Sequence, residues 1–129
     1  MSRILSGRRF LEALTGPEPG DALADLADEI VWCVPGAPEL GGGTHRGLAA
    51  VSGFLGRVSG LFPHGLEMVD ATEQAYSNGC LVECLLEGKT HSGAEYRNRY
   101  AFVFEYESDR IVAIREYTDT GHAERVLRT

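Results

Sequence analysis

The second half of the chain constrains the fold most. Four stretches, 66–76, 80–89, 96–107 and 110–119, read as strands with only short turns between them, and "SNG" (77–79) supplies a tight hairpin turn. Strands joined this closely must run antiparallel. The last two carry the clearest pattern, "YRNRYAFVFEYESDRIVAIREYTDT" (96–120). A strand places residues i, i+2 and i+4 on one side. Tyr100, Phe102 and Phe104 therefore share a face of the first strand, and Val112 and Ile114 share a face of the second. Glu116 follows in the same parity as Ile114. A carboxylate at the end of a packed apolar face is expensive; lining a cavity, it has a use.

The first half supplies what the sheet must cover. Ile4, Leu11 and Leu14 lie at roughly helical spacing, and "GPEPGD" (16–21) ends that helix. Asp21 can cap a short second helix bearing Leu23, Leu26 and Ile30. "EIVWCV" (29–34) reads as a strand stopped by Pro35, and the Gly- and Pro-rich stretch 35–47 as a loop with no Gly-Lys-Ser/Thr phosphate signature. A third helix, 48–62, repeats apolar residues at Leu48, Val51, Leu55, Val58 and Phe62; its three glycines leave its stability to packing. A short helix at 120–127 has Asp119 or Thr120 as its cap. The expected architecture is α+β, a curved antiparallel sheet wrapped around helices in one domain over 1–129.

Charge and cysteine usage narrow the function classes. The net charge of −7, with no basic run, argues against nucleic acid or an anionic membrane surface as partner. "MSRILSGRRFLEAL" holds arginines and no long apolar stretch, so it reads as neither a signal peptide nor a spanning helix. Cys33, Cys80 and Cys84 cannot all pair. Cys80 and Cys84 lie about 13 Å apart along one strand, beyond the ~7 Å a disulfide spans. Free thiols in a cytoplasmic chain are the expectation. His45, His64, His91 and His122 are scattered, without zinc spacing, and neither a metal nor another cofactor is expected.

The order of elements resembles the cone-shaped nuclear transport factor 2-like (cystatin-like) fold, and three segments resemble its SnoaL-like branch of polyketide cyclases and ketosteroid isomerase-like relatives. They are "VWCVPGAPELGGGTHRGLAAVSGFL" (31–55), "YRNRYAFVFE" (96–105) and "IVAIREYTDT" (111–120). The resemblance implies a pocket between the concave sheet face and the helices, with an acid or base carboxylate inside, and a homodimer formed through the convex face where Ala101, Val103 and Ala113 fall. Two departures matter. Epoxide hydrolases of the superfamily use an Asp–Arg–Asp trio with an Arg-x-Asp step, where this chain has Glu83-Cys84-Leu85. The steroid isomerase pattern of Asp base, Tyr and acid is not matched residue for residue.

Glu116 is the first candidate acid or base, because an apolar cavity disfavours its charged form and lifts its pKa toward neutrality. Glu83 is the second: in "CLVECLLEG" both parities are apolar, so it either pairs with Glu116 inside or is exposed or ion-paired with Arg97 or Arg99. Tyr100 and Asn98 share the face of Phe102 and can orient a carbonyl or stabilise an enolate-like oxygen, or simply pack. Trp32 and Phe102 serve as apolar wall and His45 as a proton carrier at the mouth, while Asp119 reads as a helix cap. The functional expectation is a small apolar ligand with acid–base chemistry on it (isomerisation, cyclisation or dehydration); the alternative is a binding or interaction domain without turnover.

Overall fold

The computed structural model describes residues 5–129. Six strands form one sheet in the order β2-β1-β6-β5-β4-β3. They are β1 (Leu26–Val34), β2 (Gly43–Arg46), β3 (Leu66–Tyr76), β4 (Gly79–Lys89), β5 (Glu95–Glu107) and β6 (Arg110–Thr118). Helices α1 (Gly7–Leu14), α2 (Leu48–Leu61) and α3 (Thr120–Leu127) accompany it. The expected α+β architecture with a curved sheet is what forms. β3 to β6 run antiparallel in sequence order, while β1 joins β6 in parallel, so the sheet is mixed. Among the described residues no helix is long and apolar enough to cross a membrane.

Three elements differ from the sequence reading. Residues 19–25 form a 3-10 turn, and Leu26 and Ile30 belong to β1 instead of a short helix. Pro19 and Gly20 resist helix propagation, and pairing with Ile111 claims Leu26 for the sheet. The loop 35–47 contains β2, with Trp32 opposite His45. It can fold back because Gly42 lies so close to the Gly36 carbonyl that a Cβ there would sit 2.0 Å from the oxygen. On β6 the alternation breaks at Val112. The register shifts between Glu105 and Tyr106, so Ile111, not Val112, faces the core together with Ile114. An extra residue of this kind bends the strand.

The first expected helix is α1, capped by Ser6, whose hydroxyl accepts from Arg9 N at 3.2 Å; Ile4, expected on it, lies outside the described residues. Glu73 of β3 accepts from Ser6 Oγ and Arg8 N, fastening the helix start to the sheet. Phe10 is fully buried and meets Phe104 and Trp32 with ring centroids 5.8 and 6.0 Å apart; Trp32 in turn meets Phe54 of α2 at 5.5 Å. This aromatic row fills one end of the concave face. The other end stays open.

Candidate functional site

The open end is a cavity of ≈ 240 Å³ bounded by the concave sheet face and all three helices. Its walls are mostly apolar: Leu11 and Leu14 from α1, Phe54, Leu55 and Val58 from α2, Phe102 from β5. Each arrives by its element's own period. The helical residues recur three or four positions apart, and Tyr100 and Phe102 alternate along a strand.

Glu116 is part of this wall. It stands opposite Phe102 on β5, and Trp32 Nε1–H donates to its Oε1 at 2.8 Å. Among the described residues no cation offsets it. Burial therefore lifts its pKa to about 7, the Trp32 hydrogen bond pulling in the other direction. At neutral pH the group is poised between acid and base.

Tyr100 also lines the cavity, diagonal to Glu116, since its direct partner on β6 is Thr118. Its hydroxyl lies 2.6 Å from that of Tyr96, and burial raises its pKa further above the usual phenol value. It remains a neutral hydroxyl under any physiological condition. Asn98 does not line the cavity, although it shares the parity of Tyr100. Its Nδ2 donates to the Tyr96 hydroxyl and to the Asp119 carbonyl, both at 3.0 Å, and its Oδ1 accepts from Arg99 N. The amide is thus spent tying β5 to the start of α3.

Two other expected site residues lie elsewhere. Glu83 is exposed on the opposite sheet face, because Val82, Cys84 and Leu86 take the buried parity. A Glu83–Glu116 pair does not exist; nor does an ion pair of Glu83 with Arg97, which binds Glu87 at 2.8 Å instead. His45 stacks on Phe54 at 4.5 Å and donates from Nε2 to the Gly41 carbonyl at 2.7 Å, outside the lining. It buttresses a wall residue. Trp32 and Phe102 both line the cavity.

The helix expected at 120–127 is α3, but the sequence reading gave it no part in the cavity. Thr120, Ala123, Glu124 and Leu127 all face the cavity, and their i, i+3, i+4, i+7 spacing was a legible signal. Asp119 caps the helix, accepting from His122 N at 3.0 Å. His122 stacks over Tyr96, and Arg128 pairs with Glu39. The cysteines are free thiols; the Cys84 thiol is buried and is pushed up to about 11 by that burial. Among the described residues no three His, Cys, Asp or Glu side chains are grouped so as to hold a metal.

The sequence matches the SnoaL-like domain family over residues 7–114, most of its length. The chain belongs to the SnoaL-like family. No curated protein matches it. Among solved structures it is similar to a nuclear transport factor 2-like protein from Burkholderia xenovorans LB400, at 27% identity with a TM-score of 0.76, over 93% of this chain and 91% of that one. A second such protein, from Burkholderia pseudomallei K96243, is 22% identical with a TM-score of 0.86, over 95% and 94%. A provisionally named polyketide cyclase from Xanthomonas campestris pv. campestris is 18% identical with a TM-score of 0.81, over 93% and 92%. The two less identical structures speak to the fold alone: a SnoaL-like chain of the nuclear transport factor 2-like class.

Proposed function

We propose that this SnoaL-like protein binds a small, mainly apolar molecule in the cavity and moves a proton on it through Glu116, in an isomerisation, cyclisation or dehydration. The observation that carries the reading is Glu116 itself: a carboxyl in a mostly apolar wall, held by one indole N–H, without a counter-ion among the described residues, at a pKa of about 7. General acid–base catalysis is most effective when the group titrates near the working pH. With Oε1 held by Trp32, Oε2 is the oxygen offered to the ligand. As a carboxylate it takes a proton from carbon; as the acid it returns one to a neighbouring position or to a leaving oxygen. Tyr100 is a neutral donor on the same wall, suited to an oxygen on which charge develops. The name of the Xanthomonas relative is consistent with cyclisation.

Glu116→Gln tests this. It keeps the acceptor for Trp32 and removes the exchangeable proton. Turnover is expected to be lost while affinity for an uncharged ligand stays within about tenfold, the pattern of a group used in the transition state. Unchanged turnover would take the proton transfer away from Glu116; a wild type that binds ligand and turns none over would leave a binding protein without chemistry, a reading favoured by the absence of Glu83 from the cavity. We further propose a homodimer through the outer sheet face, where Ala101, Val103 and Ala113 are only half-buried.

A further inference from the structure

Charge is distributed one-sidedly in the cavity. Among its described lining residues there is no Lys, Arg or His, yet there are two carboxylates, Glu116 in the wall and Glu124 on α3. Glu116 Oε1 has the Trp32 indole; Oε2 has no donor among the described residues. A carboxylate removed from water ordinarily gathers hydrogen bonds and a cation, since unpaired it is costly. Here the described residues supply neither for one of the two oxygens.

We propose that the ligand of this cavity is an apolar amine, a ring-bearing body with one basic nitrogen, held as its ammonium ion against Glu116. The ammonium supplies what Oε2 lacks, an N–H donor with positive charge. The rings of Trp32, Phe54, Tyr100 and Phe102 line the same space and favour a cation near their faces. A carboxylate-bearing ligand would meet Glu116 and Glu124 with no cation to offset them. A neutral ligand would fill the apolar part and leave Oε2 unmatched. Should the amine arrive neutral and Glu116 protonated, the proton passes from Oε2 to nitrogen and the same ion pair results. The net charge of −7 also enriches cations around the protein.

The inference rests on the cavity being the binding site, as proposed above, and not on turnover. A matched trio separates the two: 2-cyclohexylethylamine, 2-cyclohexylethanol and cyclohexylacetate, titrated against the intrinsic fluorescence of Trp32, the only tryptophan. At pH 8 the amine is expected to bind at least tenfold more tightly than the alcohol, and the carboxylate at least tenfold more weakly. The alkylammonium, with a pKa near the ~10.4 of a lysine side chain, stays charged from pH 6 to 8. Its affinity should therefore rise over that range as Glu116 ionises.

The other groups around Glu116 do not confuse that slope. Tyr96 and Tyr100 of β5 and Cys84 of β4 are all pushed up by burial and stay neutral. The α1 and α2 lining is uncharged. Glu124 is controlled by substitution: Glu124→Gln should lower the amine preference without removing it and keep its pH slope, whereas Glu116→Gln should abolish both. An alcohol bound as tightly as the amine, or a preference that survives Glu116→Gln, overturns the amine assignment while leaving the binding site standing. If none of the three perturbs Trp32, both readings fall.

Discussion

Glu116 is a carboxyl whose environment raises its affinity for a proton, and this has a thermodynamic signature independent of any substrate. Its pKa is about 7 in the folded chain against an ordinary value of 4.5. Between those values the native state binds more protons than the unfolded one, so unfolding free energy falls as pH rises through that window. The full difference corresponds to roughly 3 kcal/mol. Urea unfolding of the wild type should therefore lose stability between pH 5 and pH 8 relative to Glu116→Gln, which carries no such proton. A carbon-13 titration of the glutamate carboxyls should show one midpoint near 7; a value near ~4.3 for Glu116 would mean solvent or a counter-ion reaches it. Trp32→Phe removes the indole hydrogen bond that stabilises the carboxylate, and should move that midpoint upward, not down. A downward shift would show that water had replaced the indole.

At the level of elements, α1 depends on a close approach at its first residue. Gly7 lies against the sheet so tightly that a Cβ would come within 2.4 Å of the Phe104 ring and 2.8 Å of Cys80 Sγ. Phe104 is fully buried and has nowhere to move. Gly7→Ala should therefore cost on the order of 1–3 kcal/mol, as overpacking does, despite the better helix propensity of alanine; an unchanged urea midpoint would show that α1 can lift without penalty. This contact was invisible in the sequence, where Gly7 is merely a weak helix former. The strands were legible because their parity is local: β3 spans 66–76 as read, and the other three differ at their ends by a residue. Even there the bulge at Val112 escaped, since it is defined only by the register with β5. β2 and α3 show the same division. The four residues of β2 acquire strand character from β1, across a loop. The cavity-facing stripe of α3 was written in its spacing, but only the closed fold gives that stripe something to face.

For the whole molecule, the sheet separates two functions by parity. Inward residues of β4, β5 and β6 make the core and the cavity; the outward ones form a surface that the sequence could not assign, because "CLVECLLEG" is apolar on both sides. That ambiguity itself has a physical reading. A sheet face meant only for water needs no Leu81, Ala101, Val103 and Ala113, whereas a face that meets another protein does. Val103 stands opposite Leu81 on one side and Arg115 on the other, and Arg115 is held by Glu105 at 2.7 Å. The apolar strip thus has a neutralised charge beside it, which suits packing against its own copy about a two-fold axis. The opposing cost is repulsion between two chains of net charge −7 each, which salt screens. Sedimentation at micromolar concentration should give twice the 14.0 kDa chain, with the dimer strengthened between low and physiological salt. Val103→Glu should return it to the chain mass without altering Trp32 fluorescence, since Val103 points away from the cavity. A dimer indifferent to that charge would be assembled elsewhere, and a wild-type monomer would leave the outer apolar strip without the partner proposed for it.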